Sequence, residues 1–287
     1  MRSLPEPFTE RARAYLRGDV EVAAARDAAT VVLLRDAPAG MQVYLLRRRP
    51  TMLFAAGMHV FPGGSVDPRD SETGTGAPSP AWAGPDAAAW GRALGCDPPL
   101  ARALVCAAVR ETFEESGVLL AGARDAVVPD TTGEEWERDR RSLLDRSTSL
   151  ARLLEQRSLV LRSDLLRPWA HWITPEFEPR RFDTRFFVAG LPSGQHARDV
   201  SGEADQAVWL PVAEAVARHE TRYPMLPPTI VTLRQLSAYD TVADVLAART
   251  AVTPIMPRPV ADGEDVRLVV DLPAGERLVD ELMQGPR

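Results

Sequence analysis

Arg110-Glu111-Thr112-Phe113-Glu114-Glu115-Ser116-Gly117-Val118, taken with Phe61-Pro62-Gly63-Gly64 upstream, decides how this chain folds. Residues three and four apart share one face of a helix, so Glu111, Glu114 and Glu115 project together with Arg110 beside them. Val105, Ala108, Val109 and Phe113 form an apolar stripe on the opposite face, suited to a core. Asp97 reads as an N-cap, Pro98 as a first-turn residue and Gly117 as the stop. The spacing therefore predicts one continuous helix from about Pro98 to Ser116. Clustered carboxylates repel one another unless a cation sits among them, and hard cations such as Mg²⁺ or Mn²⁺ prefer oxygen donors. An isolated E-x-x-E-E is usually a solvated helix face. Here it does not stand alone.

Gly64 is followed by an acid, Asp70, and after an interruption by R-E-x-x-E-E-x-G and the aliphatic Val118. This resembles the Nudix box, G-x5-E-x7-R-E-U-x-E-E-x-G-U with U aliphatic, and Phe-Pro-Gly-Gly commonly precedes it in that family. Asp70 stands where the family has Glu, and Thr112 where it usually has an aliphatic residue. The larger departure is length. Residues 71–109 separate Asp70 from Arg110, 39 residues where the usual box has seven. Closure entropy grows only with the logarithm of loop length, so such an insertion is tolerated. Its Gly-, Pro-, Ser- and Ala-rich first part, Ser71 to Pro85, reads as a surface excursion, and Asp86 to Leu94 as a short helix.

The run from Leu45-Leu46-Arg47-Arg48-Arg49 through Phe54, Gly57 and Met58 to Gly64 looks like the segment before the box in coenzyme A diphosphatases. The split box, Trp172-Ile173-Thr174-Pro175 and Arg180-Arg181-Phe182-Asp183-Thr184-Arg185-Phe186-Phe187 are similar to the peroxisomal-type branch. Leu53 differs from the better-known bacterial motif, which has Arg there. The resemblance implies an α/β fold, a Nudix α/β/α sandwich with a mixed sheet, an inserted segment in the box and extra helices. It also implies a Mg²⁺- or Mn²⁺-dependent pyrophosphohydrolase, with Glu111 and Glu115 as metal ligands and Glu114 shared or acting as base. Backbone near Gly64 would approach the metal, Arg110 would orient the carboxylates, and Asp70 completes the catalytic set. Arg48, Phe54, Arg180, Arg181 and Glu203 are substrate-side candidates, although Phe54 suits a core equally well and paired arginines are usually solvated. The expected substrate is coenzyme A or an acyl derivative. ADP-ribose, NADH or another nucleoside diphosphate derivative is the alternative, and a Nudix-fold binder without turnover is a second.

The 287 residues carry a net charge of −6, which gives no general affinity for nucleic acid. All 34 basic residues are Arg, and Asn is absent as well, which suggests a GC-rich genome. Without Lys there is no Schiff-base or P-loop lysine, and without Asn no N-glycosylation. Cys96 and Cys106 form no C-x-x-C, no apolar run is long enough to span a membrane, and a cytoplasmic protein is expected. The four histidines show no paired ligand spacing, and Trp169, Trp172 and Trp209 read as core. A homodimer is compatible with the family, but no interface is legible.

Ala28 to Leu34 and Gln42 to Arg48 read as strands joined by a turn, with Met58 to Phe61 as a short strand. Glu134 to Arg162 is expected to form two helices, Arg181 to Ala189 and Gln206 to Leu210 strands, and Pro211 to Arg218 a helix. Pro227 to Arg249 reads as one or two helices, and Val266 to Asp271 as a last strand. The expected organisation is an N-terminal segment over 1–27, a Nudix domain over 28–240 and a C-terminal extension over 241–287. Within the domain, 71–97 is the insertion in the box and 134–165 a helical insertion.

Overall fold

The computed structural model describes residues 6–52, 55–71, 81–198, 204–263, 265–271 and 277–279. Helix α1 (Glu6–Leu16) leads into β1 (Ala25–Arg35), which turns back into β2 (Gln42–Arg48). Short strands β3 (His59–Val60) and β4 (Gly63–Ser65) precede a 3-10 turn at Pro68–Ser71. Next come β5 (Trp82–Ala83), α2 (Ala87–Leu94), α3 (Pro98–Ser116) and β6 (Ala121–Gly122). Helices α4 (Glu134–Leu144) and α5 (Leu150–Gln156) follow. The helical pattern expected to reach Arg162 ends there, because Val160–Arg162 is strand β7. It is held between β5 and β6, which ties the insertion in the box to the segment after α3.

Strands β8 (Arg167–Ile173), β9 (Arg181–Gly190) and β10 (Ala204–Pro211) return the chain to the main sheet. Helices α6 (Val212–Ala217), α7 (Pro227–Leu236) and α8 (Val242–Ala247) come next. The expected C-terminal strand is the middle one of three, β12 (Arg258–Asp262), β13 (Asp265–Asp271) and β14 (Arg277–Val279), preceded by β11 (Pro254–Ile255).

The main sheet runs β10-β2-β1-β9-β8-β11, with β3 on β2 and β4 on β1. It is mixed: β1 and β9 are parallel at the centre, from Ala25↔Arg181 to Leu34↔Gly190, and antiparallel pairs flank them. Side chains alternate across a strand, and here both faces are apolar. Val31, Leu33, Tyr44, Leu46 and Phe187 pack with α2 and α3, with Leu143 of α4 and with Leu150 and Leu154 of α5. Val32, Leu34, Val43, Leu45, Phe186 and Val188 pack beneath α6, α7 and α8. A strand apolar on both sides needs cover on both sides, which makes the α/β/α sandwich.

Helix α3 has the predicted bounds. The Asp97 carboxylate accepts from the Leu100 amide at 2.8 Å, and Gly117 caps the other end in the left-handed region. Thr112 is fully buried at its usually aliphatic position because its hydroxyl donates to the Ala108 carbonyl at 2.7 Å. Among the described residues no helix is long and apolar enough to cross a membrane.

Candidate active site

The C-terminal half of α3 brings Arg110, Glu111, Glu114 and Glu115 to the N-terminal half of β1, where β4 covers them. Arg110 is the hub. Its Nε and Nη2 fork onto the two Asp70 oxygens at 2.9 and 2.8 Å, and Nη2 also donates to the Ser65 carbonyl at 3.0 Å. Nη1 donates to Glu111 Oε1 at 2.7 Å and to Glu114 Oε2 at 3.2 Å. The insertion between Asp70 and Arg110 therefore leaves their pairing intact. The 3-10 turn achieves this, its Asp67 amide holding Asp70 Oδ2 at 2.8 Å.

Both glycines answer to close approach, since neither has positive φ. A Cβ on Gly63 would lie 2.6 Å from the Ala29 carbonyl oxygen, and one on Gly64 2.4 Å from Glu111 Oε1. The Gly63 amide meanwhile donates to Glu115 Oε2 at 3.0 Å. The Phe-Pro-Gly-Gly segment is thus a strand edge pressed onto two of the glutamates.

Electrostatics single out Glu114. Burial pushes its carboxyl up to about 7; Arg110 opposes the shift and the Glu111 charge adds to it. Burial works against the Arg110 charge as well, but the bond to Asp70 and the charges of Glu111, Asp70 and Glu114 outweigh it and hold Arg110 cationic. Glu114 Oε1 is buried with no hydrogen-bond partner among the described residues. An unpaired buried acceptor costs about 1–3 kcal/mol, and it sits among carboxylates that outnumber their guanidinium.

Two observations bear on a metal. Among the described residues no three His, Cys, Asp or Glu side chains already converge on a point. The charge surplus and the orphaned Glu114 oxygen weigh more, because carboxylates on a helix re-aim by rotation about side-chain bonds. An all-oxygen, anionic donor set fits a hard divalent cation.

A cleft of about 380 Å³ adjoins this cluster through Gly63. Thr30, Arg48, Phe61, Trp172, Phe182 and Phe186 are among its walls. Arg180 is exposed and is not part of these walls. Arg181 turns inward, donating to the Ala23 carbonyl at 2.8 Å and the Thr174 carbonyl at 3.1 Å, so it ties the start of β9 to the segments just before β1 and just after β8. Phe54 and Glu203 lie outside the described residues. Trp169 and Trp172 are buried as expected of core residues, and Trp172 also faces the cleft. Sequence reasoning missed the Ser65 carbonyl, the Gly63 amide and the cleft; the alternation Phe182, Thr184, Phe186 was the available signal for one wall.

The family model of the NUDT19 Nudix domain matches residues 85–236. The chain belongs to this Nudix family. It is 27% identical over 267 residues to an acyl-coenzyme A diphosphatase NUDT19 of Gallus gallus, covering 77% of this chain and 70% of that protein. It is 29% identical over 219 residues to nudix hydrolase 7 of Caenorhabditis elegans, covering 74% of this chain and spanning only 60% of the length of that relative. A crystal structure of a NUDIX hydrolase from Alicyclobacillus acidocaldarius is similar in fold, with a TM-score of 0.64 and 30% identity over 80% of this chain and 99% of that one. Nudix hydrolases generally use divalent metal ions. The carboxylate surplus of this member accords with that habit.

Proposed function

We propose that this chain is a Mg²⁺- or Mn²⁺-dependent pyrophosphohydrolase that cleaves coenzyme A or its acyl thioesters to 3′,5′-ADP and (acyl)phosphopantetheine. The observation that carries the reaction is the orphaned, buried Glu114 Oε1 within a cluster richer in carboxylates than in cations. The substrate rests on the similarity to acyl-coenzyme A diphosphatases and on the apolar cleft beside the cluster.

Glu111 and Glu115 would hold the ion, with Glu114 shared. Such an ion offsets the negative charge of a pyrophosphate and acidifies water near it. Arg110 orients Glu111 and Glu114, and Asp70 anchors Arg110 by a two-pronged pair that fixes the guanidinium plane. The Gly63 amide fixes Glu115. Glu114, whose Oε1 is buried without a partner among the described residues, would either share the ion or take the proton from attacking water. Water oxygen then bonds to one phosphorus, and the bridging P–O bond breaks.

The test is hydrolysis of coenzyme A, ADP-ribose and NADH with Mg²⁺ or Mn²⁺, alongside Glu115→Gln. Release of 3′,5′-ADP from coenzyme A, lost in the variant, is expected. Turnover of ADP-ribose or NADH alone would discard the coenzyme A assignment and keep the reaction.

A further inference from the structure

Helix α1 lies outside the span matched by the family model, yet it forms part of the cleft wall. Phe8, Arg11 and Tyr15 stand at helical spacing on one face. Phe8 meets the buried Phe177 edge-on, with ring centroids 4.7 Å apart. Arg11 donates to Glu178 at 2.8 Å, and the Tyr15 hydroxyl donates to Glu176. These contacts pin α1 to the loop between β8 and β9, and Phe8 is left lining the cleft.

The cleft has a polar end and an apolar end. Phe186 pairs in register with Thr30, which pairs with Gly63, whose amide holds Glu115. That end abuts the carboxylate cluster. Phe182, four residues back along β9 and on the same face, lies about 13 Å away by strand geometry. Arg48 and Glu178 are the charged residues among the described walls. Glu178 is already paired with Arg11, so among the described walls no free cation is left at that end to hold a phosphate. Trp172, another wall residue, has an indole Nε1 buried without a partner among the described residues; an amide or thioester carbonyl would satisfy it.

We propose that the cleft seats the apolar, non-nucleotide arm of the substrate and that Phe8 of α1 sets how long an arm is accepted. The inference rests on the coenzyme A reading above. Phe8 is a specificity-determining residue contributed by a helix beyond the matched Nudix span.

Two measurements separate this inference from the reading it rests on. The first is kcat/KM for coenzyme A and thioesters of increasing acyl length, in wild type, Phe8→Ala and Phe8→Trp. Phe8→Trp is expected to lower octanoyl-coenzyme A about tenfold relative to free coenzyme A, the scale on which pocket size discriminates methylenes. Phe8→Ala is expected to raise long thioesters relative to free coenzyme A and so shift the preferred length upward. Equal changes at every length, or none at any, would overturn the proposal. The second is binding of S-octanoyl-pantetheine, which carries no phosphate, followed by tryptophan fluorescence. Wild type is expected to bind it and Phe8→Trp to bind about tenfold more weakly. Coenzyme A turnover with no such binding sinks the Phe8 assignment alone. Binding without turnover of any coenzyme A species sinks the coenzyme A reading and leaves the cleft assignment standing.

Discussion

Arg110 and Arg185 are both buried against the central sheet among acids, and they keep different company. Arg110 is shared by Asp70, Glu111 and Glu114, with Glu115 next to them on α3. Arg185 pairs with Asp183 and lies 3.9 Å from Asp27, while His171 Nε2 is 2.5 Å from the same Asp183 oxygen. In the first cluster the leftover atom is an acceptor, Glu114 Oε1; in the second it is a donor, Arg185 Nε. Burial raises the Glu114 carboxyl to about 7, whereas in the second cluster the His171 bond and the Arg185 charge outweigh burial and hold Asp183 below the ordinary carboxylate range. A buried ion network alone is weak evidence of function. A network with an acceptor to spare invites a cation, and one with a donor to spare does not.

The contrast breaks most sharply on activity. Glu111→Gln or Glu115→Gln is expected to lower kcat on a pyrophosphate substrate about 10²- to 10⁴-fold, read by steady-state kinetics. The melting temperature should hold or rise, since like charge is removed. A change in Arg185 is expected to leave kcat near wild type wherever the protein is folded.

Stability separates the clusters next. Arg110→Ala leaves buried carboxylates uncompensated and is expected to cost about 3–5 kcal/mol by urea denaturation. Asp183 and Asp27 are partly exposed and Asp183 keeps His171, so Arg185→Ala is expected to cost less. Mn²⁺ should recover part of the loss in Arg110→Ala and none in Arg185→Ala. Equal recovery in both would erase the distinction.

The pH dependence of the metal-free protein refines it. Folding raises the Glu114 carboxyl from 4.5 to about 7, so the folded state binds that proton more tightly than the unfolded chain. This contribution is fully present below about pH 4.5 and is lost as pH rises to about 7; it amounts to about 3 kcal/mol. Glu114→Gln is expected to flatten that part of the pH–stability profile and to be more stable than wild type at pH 8. The smallest effect is at the strand edge. Gly64→Ala drives a methyl into Glu111 and should cost about 1–3 kcal/mol of transition-state stabilisation, seen in kcat/KM.

Helix α3 was legible because each signal on it is local: Asp97, the apolar stripe, Gly117 and the acids at helical spacing. Asp70 could be named from the motif, but its pairing with Arg110 across the insertion depends on a 3-10 turn that no spacing rule announces. The doublet Arg180-Arg181 reads as two equivalent cations, yet strand β9 begins at Arg181 and sends its side chain onto backbone carbonyls while Arg180 stays exposed. Strand β8 was obscured by Pro168 and by a register shift between Pro168 and Ala170 that interrupts alternation. The cleft joins Phe8 to residues more than 160 positions away, and separations of that size leave no periodic trace.

The most direct measurement is calorimetric titration of Mn²⁺ into wild type, Glu115→Gln and Arg185→Ala. Saturable binding in wild type and Arg185→Ala, lost or weakened in Glu115→Gln, is the result this account requires. Equal binding in all three, or none in wild type, would contradict it.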